Sequence, residues 1–363
     1  MLPWKCSNCG EPYPEEALPY RCPRCGGVFD RALPLRYDPG AIDTRQPGLW
    51  RFAPLWGWAA DIKPVSLGEG NTPLMWTQGF DRQVALKLEY LNPTGSHKDR
   101  GTAPLVALLK DWGVNEALED SSGNAGASFA AYAARAGIHA RVFVPAYASG
   151  PKRAQMAAYG AEVIPVEGPR SRAAEAVRQA AQAGAVYASH AHLPFGLDGF
   201  ATIAWELAEQ MDTPPGTIVA PVGQGSLLLG IARGAEALVR AGVWPKIPLL
   251  VGVQALACAP LYALARGGRE ALAWVTEGET LAEGVRILRP VWGDALMDFL
   301  SRTPGAFVAV EEEAICQGRE ELAHRGFYVE PTSAIVWDAL AQIASWAPEP
   351  IVLILTGHGL KAS

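Results

Sequence analysis

From residue 84 onward, short apolar segments alternate with longer segments in which apolar residues recur every three or four positions. The short segments predict β-strands and the longer ones predict α-helices. Regular alternation of this kind favours parallel β-sheets with helices packed on both faces. The sequence therefore predicts an α/β fold with doubly wound parallel sheets, in which ligands bind beyond the carboxyl ends of the strands.

The bounds of the predicted elements follow from this pattern and from glycines at the positions where helices end. Strands are predicted over 84–90, 116–120, 140–144, 162–166, 185–188, 217–221, 249–253, 306–310 and 350–355. Helices are predicted over 102–112, 125–136, 151–159, 171–183, 200–211, 226–241, 311–325 and 333–346. Residues 36–80 are rich in proline, glycine and tryptophan, which predicts a linker that wraps the domain after it.

The first 35 residues contain two Cys-x-x-Cys pairs separated by twelve residues. Glycine directly follows the second cysteine of each pair, and the tight turn it allows lets both sulfurs face one ion. Four thiolates at this spacing are typical of a closed tetrahedral zinc ribbon, in which the metal is structural. The expected ligands are Cys6, Cys9, Cys22 and Cys25. The alternative is a ribbon that has lost its metal and holds reduced or oxidised thiols.

Composition argues against several other classes of protein. The 363 residues are 49% hydrophobic and carry a net charge of −6 without a long basic run, which disfavours disorder and a nucleic-acid partner. No uninterrupted apolar segment has the length needed to span a bilayer, and the first residues lack the apolar region of a signal peptide. We therefore expect a soluble, cytoplasmic protein without a membrane partner.

The segment Asn92–Gly101 lies at a predicted strand–helix junction and contains Lys98. The positive potential of a helix N-terminus disfavours a nearby ammonium group. A lysine whose charged form is disfavoured is a usable nucleophile, as in enzymes that bond an amine to a carbonyl group. The alternative is a solvated lysine near the start of a helix.

Three further loops follow predicted strands. Ser121-Ser122-Gly123-Asn124 precedes a helix, where backbone N–H groups and hydroxyls favour an anion such as a substrate carboxylate. Gly223–Leu227 has the glycines of a phosphate-binding turn, without the spacing of a dinucleotide or nucleotide loop. Thr356 ends the last strand, beside His358, as a candidate neutral partner for a ring nitrogen. The alternatives are a helix cap, a tight strand–helix turn and a structural turn histidine.

His190 and His192 form an H-x-H pair, and on a strand both side chains would point to one face. One interpretation is a metal site, although no third ligand is evident beside the pair. The other is a polar wall of the active site or of the protein surface.

Several of these segments resemble segments of the threonine synthase family. Asn92–Gly101 reads N-P-T-G-S-H-K-D-R-G and is similar to that family's pyridoxal 5'-phosphate (PLP) lysine motif, N-P-T-G-S-F-K-D-R-G. The segments Ser122–Asn124, Gly223–Leu227, Glu330–Ala334 and Thr356–Lys361 are also similar to family motifs, in family order. Some members carry an N-terminal zinc ribbon, so the resemblance covers nearly the whole chain.

The resemblance implies a PLP-dependent lyase of fold type II, with two doubly wound parallel-sheet domains preceded by the zinc ribbon. The implied divisions are a ribbon at 1–35, a wrapping linker at 36–80 and a catalytic core at 81–363. The large domain would cover roughly 36–88 plus 200–363, and the small domain roughly 89–199. Threonine synthase is a biosynthetic enzyme that converts O-phospho-L-homoserine and water to L-threonine and phosphate. A homodimer acting on a small amino-acid substrate is therefore expected.

The resemblance also implies a role for each motif. Lys98 would hold PLP through a Schiff base and move protons after its release, and Asn124 would hydrogen-bond the phenolic oxygen of PLP. Thr356 would face the pyridine nitrogen. The PLP phosphate would bind Gly223, Gln224, Gly225, Ser226 and Leu227. The substrate carboxylate would bind Ser121, Ser122 and Gly123.

The chain departs from the family pattern at several positions. His97 replaces the phenylalanine of the lysine motif, and Ala125 replaces the threonine after the loop asparagine. His190–Gly199 stands where the family has N-S-x-N-P-x-R-x-E-G, so Gly196 occupies the position of an arginine that grips the substrate phosphate. Losing such a charge-assisted contact costs roughly 1.5–3 kcal/mol. The alternatives are therefore a sibling PLP enzyme for β-elimination or β-replacement, similar to serine/threonine dehydratase or cysteate synthase, and a PLP-binding protein without turnover.

Overall fold

The computed structural model describes residues 3–14, 17–58, 62–147, 150–168 and 170–362. These residues form two compact units. The first unit contains the chain up to Gly70 and again from Asn92 to Gly199, and the second contains Asn71–Leu91 and Phe200–Ala362. Within the described ranges, no helix combines the length and the apolar character needed to cross a membrane.

The α/β fold with parallel sheets, predicted from the alternation of apolar segments, is confirmed. The strands of the described residues are β1 (Trp4–Cys6), β2 (Phe29–Arg31), β3 (Leu74–Gly79), β4 (Arg82–Lys87), β5 (Glu116–Glu119), β6 (His139–Pro145), β7 (Glu162–Val166), β8 (Thr217–Pro221), β9 (Leu249–Ala255), β10 (Gly305–Val310) and β11 (Ile351–Ile354). The α-helices are α1 (Lys98–Asp111), α2 (Asn124–Ala136), α3 (Pro151–Ala158), α4 (Arg170–Gln182), α5 (Leu197–Gln210), α6 (Ser226–Arg240), α7 (Pro260–Gly267), α8 (Gly293–Ser301), α9 (Glu312–His324) and α10 (Pro331–Ile343).

The first unit contains a three-stranded parallel sheet in the order β5-β6-β7. Leu118 on β5 and Val177 on α4 are shielded from solvent and belong to the apolar core of this sheet. The strand predicted over 185–188 is reduced to an isolated parallel bridge between Tyr187 and Leu118. Residues 187–190 therefore run beside the carboxyl end of β5, where a ligand of a parallel sheet is expected.

The second unit contains a six-stranded sheet in the order β10-β9-β8-β11-β4-β3. All of its pairings are parallel except that of β3, an antiparallel edge strand. Lys87 on β4 and Glu206 on α5 are completely buried, and their charged atoms lie 2.7 Å apart. The Lys87 ammonium also donates to Thr72 O at 2.7 Å and to Gln210 Oε1 at 2.9 Å, which satisfies its donors inside the protein.

Some predicted elements differ from the observed ones for physical reasons. Helix α1 begins at Lys98, whereas the predicted helix begins at Thr102, directly after Gly101. Gly101 lies inside the helix and does not form a turn before it. A Cβ added at Gly196 would lie 2.9 Å from Gly101 O, so close packing of two backbones accounts for these glycines. The edge strand β3 and the helices α7 and α8 lie outside the predicted elements. Met75 and Trp76 on β3 are about half exposed, so this strand lacks the continuous apolar run that indicated the buried strands.

Residues 36–70 belong to the first unit, whereas the sequence interpretation assigned 36–88 to the large domain. The cause is the buried carboxylate of Glu69, which accepts hydrogen bonds from Trp50 Nε1 and Tyr132 Oη. The same carboxylate accepts from Leu67 N at 2.9 Å. Because Tyr132 lies on α2, this segment is bonded to the helical body of the first unit.

A buried ion pair fixes the cysteine-rich N-terminal segment within the first unit. Arg31, on β2, pairs with Asp198, on α5, and their side chains are only 8% and 1% exposed. The guanidinium also donates to Trp56 O at 2.9 Å, and Asp198 accepts from Trp58 Nε1 at 2.9 Å. Water has little access to these two side chains. Removing one of them therefore leaves the other charge buried without its ion-pair partner.

We predict that Arg31→Met lowers the free energy of unfolding by about 3 kcal/mol, because Asp198 loses its buried counter-charge. The measurement is urea unfolding followed by circular dichroism. Arg45→Met is the matched control, since Arg45 pairs with Asp43 at the surface and its side chain is 88% exposed. We expect no measurable change for Arg45→Met, and equal effects of the two substitutions would contradict the importance of the buried pair.

Candidate active site

The lysine loop takes its shape from a turn and from one buried carboxylate. Gly95 has φ +83°, and its N–H donates to Asn92 O at 2.8 Å, which closes a tight turn. Asp99 is completely buried and accepts hydrogen bonds from Thr94 N at 2.7 Å and Thr94 Oγ1 at 2.6 Å. Lys98, the first residue of α1, lies between this turn and Asp99 and is therefore held on a fixed backbone.

The same carboxylate ties the lysine loop to helix α2. Ser128 Oγ donates to Asp99 Oδ1 at 2.6 Å, and Gln155 Nε2 donates to Thr94 O at 3.1 Å. Sequence reasoning missed Asp99, although an acidic residue followed by an apolar helix is a usable signal for a buried anchor. Ser96 Oγ is also buried and has no hydrogen-bond partner among the described residues. A buried hydroxyl of this kind, two residues before Lys98, suits a site that takes a further polar ligand.

The serine–glycine loop lies at the carboxyl end of β5. Its N–H group at Gly123 donates to Ser121 Oγ at 3.3 Å, and α2 begins at the next residue, Asn124. A Cβ added at Gly126 would overlap Ser121 O, so the loop packs directly against the first turn of α2. The positive end of this helix is therefore adjacent to Ser121, Ser122 and Gly123, as an anion site requires.

In the second unit, Gly223–Leu227 connects β8 to α6. Gly225 has φ +92°, and a Cβ there would lie 3.2 Å from the Trp292 side chain. Gln224 is held by two residues that do not belong to this turn. Its Oε1 accepts from Val291 N and its backbone carbonyl accepts from Trp292 N, both at 2.9 Å. Across the part of the chain that the structure describes, the N–H groups of Gly223, Gln224 and Gly225 donate to no backbone carbonyl. These donors, beside a helix N-terminus, fit a phosphate group.

The segment after β11 is docked on the N-terminus of α10. Thr356 is almost completely buried, and its N–H donates to Ser333 Oγ at 2.7 Å. The chain reverses closely here, because Glu330 N donates to Gly357 O at 3.0 Å and a Cβ at Gly357 would overlap the Glu330 carboxylate. Thr356 is thus fixed at the carboxyl end of a central strand.

His358 has the contacts of a structural turn residue. Its Nδ1 accepts a hydrogen bond from Leu360 N at 3.1 Å, and its ring meets those of Tyr90 and Tyr328 edge-on. Burial, followed by the nearby Lys361 charge, lowers the pKa of His358 below its usual value. The neutral ring therefore acts as a cap for the last turn, which favours the interpretation of His358 as a structural turn histidine.

The four N-terminal cysteines form one cluster, in which all four sulfur atoms lie within 4.8 Å of one another. Cys6 and Cys25 are 3.4 Å apart, and Cys9 and Cys22 are 3.7 Å apart, between sulfur atoms. Tetrahedral ligands about 2.3 Å from a central ion are separated by about 3.8 Å, so the cluster fits a single tetrahedral metal. His190 and His192 contact different partners, Glu119 and Arg21, and among the described residues only the cysteines group as metal ligands.

The sequence profile of one protein family, the pyridoxal-phosphate dependent enzymes, matches residues 65–357. The chain belongs to this family. The match includes the lysine loop, the serine–glycine loop, the Gly223–Leu227 turn and Thr356. The prediction of a PLP-dependent enzyme is therefore confirmed.

Two archaeal relatives are similar over nearly the full chain. Threonine synthase from Methanosarcina acetivorans is 31% identical, over 99% of this chain and 92% of its own length. Threonine synthase from Methanocaldococcus jannaschii is 32% identical, over 98% of this chain and 92% of its own length. The predicted threonine-synthase-like lyase is confirmed by these relatives.

Solved structures share the fold of this PLP-dependent enzyme. A T.th. threonine deaminase has a TM-score of 0.64 at 29% identity, covering 79% of this chain and 92% of its own. Maize serine racemase has a TM-score of 0.68 at 21% identity, covering 79% of this chain and 88% of its own. Fold type II is therefore confirmed.

Packing explains one departure of this PLP-dependent enzyme from the family pattern. Gly196 cannot be exchanged for the family arginine without moving α1, because its Cβ would lie 2.9 Å from Gly101 O. Gly199 is equally constrained, since a Cβ there would overlap Arg100 O. His97 is half-buried, takes helical backbone angles and does not cap α1 with its side chain.

The predicted ligand residues lie in both units. Lys98 and the loop from Ser121 to Asn124 belong to the first unit, and both lie at the starts of neighbouring helices. Gly223–Leu227 and Thr356 belong to the second unit, where each follows a strand of the six-stranded sheet. Each unit therefore contains two of the four predicted ligand loops.

We predict that Gly225→Ala weakens PLP affinity by roughly 10- to 100-fold, because distorting charge-assisted hydrogen bonds costs roughly 1.5–3 kcal/mol. The measurement is a PLP titration followed by visible absorbance. Gly242→Ala is the matched control, since Gly242 also has a positive φ of +72° but nothing lies within 4 Å of its added Cβ. Both variants should lose some stability, and only Gly225→Ala should lose PLP affinity. Unchanged PLP affinity in Gly225→Ala would contradict the phosphate-binding role of this turn.

Proposed function

We propose that this enzyme converts O-phospho-L-homoserine and water to L-threonine and phosphate. The observation that carries the proposal is the lysine loop, N-P-T-G-S-H-K-D-R-G, fixed around Lys98 by the buried Asp99. The relatives that are similar over nearly the full chain, at 31% and 32% identity, are threonine synthases. The reaction breaks the bond between the γ-carbon and the phosphate oxygen, and water then adds its oxygen at the β-carbon.

Lys98 is the residue proposed to bond to PLP and, once released, to carry protons at its Nζ atom. When bound, PLP withdraws electrons from the carbon next to the substrate amino group. The N–H groups of Gly223–Leu227 would bind the PLP phosphate, and Asn124 would hydrogen-bond its phenolic oxygen. Thr356 would be the neutral partner of the ring nitrogen, and its hydroxyl, unlike a carboxylate, would not keep that nitrogen protonated.

The substrate is held by groups that suit a carboxylate. Ser121, Ser122 and Gly123 offer hydroxyl and N–H donors at the positive end of α2, where a negative charge is stabilised. Ser121 is only 5% exposed, so its hydroxyl is shielded from competing water. The carboxylate, more than the side chain of the substrate, would therefore fix the orientation of the amino acid in this loop.

A second candidate function is β-elimination or β-replacement on a smaller amino acid. The observation that favours it is Gly196, whose contact with Gly101 excludes the arginine that the family pattern uses for the substrate phosphate. The related fold of a threonine deaminase, at 29% identity, gives this candidate a structural precedent. Serine or threonine would then be the substrate, with pyruvate or 2-oxobutyrate as the product.

We expect phosphate release from O-phospho-L-homoserine, matched by threonine formation, and we expect Lys98→Ala to abolish both. Lys98→Ala should also lose the visible absorption that a bond between PLP and the lysine would give. Lys110→Ala, at the exposed end of the same helix, is the control and should keep both properties. Pyruvate or 2-oxobutyrate from serine or threonine, without phosphate release, would support the second candidate instead.

We also propose that the four-cysteine cluster binds one structural Zn²⁺, because four thiolates fill all tetrahedral positions and leave none for a substrate. We expect about one zinc per chain by metal analysis. Cys22→Ser should lower this content sharply, since it removes a buried ligand. Cys316→Ser is the control, because Cys316 is an exposed cysteine far from the cluster in sequence. Wild-type protein that is purified in zinc-containing medium without bound metal would contradict the proposal.

A further inference from the structure

The cysteine cluster contacts the rest of the first unit through a second arginine, Arg21. This residue directly precedes the ligand Cys22, and its Nη1 donates to Gly26 O at 3.0 Å inside the same knuckle. Its Nη2 lies 3.1 Å from His192 Nε2. The guanidinium is therefore attached to the metal-binding knuckle on one side and to the Ser189–Leu193 turn on the other.

This contact determines the tautomer of His192. A guanidinium only donates hydrogen bonds, so His192 Nε2 must accept. The proton of the neutral ring then lies on Nδ1, which is 3.0 Å from Ser189 Oγ. Burial, and then the Arg21 charge, lowers the pKa of His192 to about 3, so the ring stays neutral under physiological conditions. Both ring nitrogens are thus committed to named partners.

His192 closes the turn that contains His190. Ser189 is completely buried, and Leu193 N donates to Ser189 O at 3.0 Å. Within this turn, His190 Nδ1 lies 2.7 Å from the buried Glu119 carboxylate. Glu119 is the last residue of β5, so the turn is bonded to the strand end that leads into the serine–glycine loop.

An aromatic contact runs parallel to the arginine contact. Tyr20, next to Arg21, places its ring 5.0 Å from that of Tyr187 and 5.5 Å from that of His192. Tyr187 Oη donates to Asp120 Oδ1 at 2.9 Å. Asp120 directly precedes Ser121, so the contacts of the knuckle reach the residue before the proposed carboxylate site in two steps.

We propose that Arg21 is a positioning residue through which the metal-binding knuckle fixes the Ser189–Leu193 turn and, with it, the serine–glycine loop that binds the substrate carboxylate. No cysteine touches the substrate in this arrangement. A metal bound by the cysteines would stabilise the knuckle, and Arg21 holds His192. His190 of the turn holds Glu119, and Tyr187, just before the turn, holds Asp120. The part that concerns the substrate depends on the proposed role of Ser121, Ser122 and Gly123.

The first test compares Arg21→Met with Arg24→Met in the PLP-loaded full chain. Both substitutions remove an exposed arginine from the same knuckle, but Arg24 pairs with Glu11 inside the ribbon, whereas Arg21 reaches the turn. We expect Arg21→Met to raise KM for O-phospho-L-homoserine by roughly 3- to 10-fold, with kcat within about twofold and PLP absorbance unchanged. Arg21→Lys retains a donor and should restore part of the affinity. Arg24→Met should behave as the unsubstituted enzyme.

The second test needs no turnover and is therefore independent of the identity of the substrate. With ¹⁵N-histidine labelling, His192 should show the Nδ1-protonated tautomer in the unsubstituted and Arg24→Met proteins and a changed tautomer signal in Arg21→Met. Hydrogen exchange at 187–193 and 120–124 should be faster in Arg21→Met and in protein treated with a zinc chelator. Absence of turnover with these changes present would count against the proposed reaction and support the positioning role. Unchanged exchange and histidine signals in Arg21→Met, or equal changes in Arg24→Met, would overturn the positioning role.

Discussion

The lysine loop depends on the buried carboxylate of Asp99. Three donors from Thr94 and Ser128 converge on it, and the resulting charge-assisted bonds set the path of the backbone on both sides of Lys98. A nucleophile that must reach one carbonyl carbon needs a backbone that does not move, and a helix start alone would fray. The buried Glu69 carboxylate holds the tryptophan-rich segment by hydrogen bonds. In the second unit, the Lys87–Glu206 ion pair joins β4 to α5. In each case a buried charged group holds a segment in place by direct polar contacts.

Close approach of backbones is the second recurring constraint. A Cβ added at Gly196 would lie 2.9 Å from Gly101 O, and Gly225 allows the start of α6 to lie against Trp292. These glycines serve packing, and only some of them have a positive φ. A glycine that allows close packing and a glycine with a positive φ look alike in a sequence. The pattern around Gly101 therefore indicates a helix that starts after it, whereas the helix begins at Lys98.

Local patterns predicted the parallel strands and most helices, and they indicated four candidate ligand loops, because each of these patterns lies within one short segment of the chain. The parallel strands are short apolar runs, and the ligand loops carry glycine and hydroxyl residues where a strand gives way to a helix. Contacts between distant residues could not be predicted in this way. The Asp99–Ser128 and Arg31–Asp198 bonds join residues 29 and 167 positions apart, and no local pattern encodes them. The Tyr187 bridge, predicted as a strand, lacks the neighbours needed to extend it.

The contact between Gly196 and Gly101 also limits how this enzyme could change its substrate preference over time. An arginine at 196 would have to displace the backbone of α1, the helix that begins at the lysine proposed to carry the cofactor. A single substitution at that position would thus disturb the site before it could add a phosphate contact. An arginine at 196 therefore requires an accompanying shift of the α1 backbone in this protein.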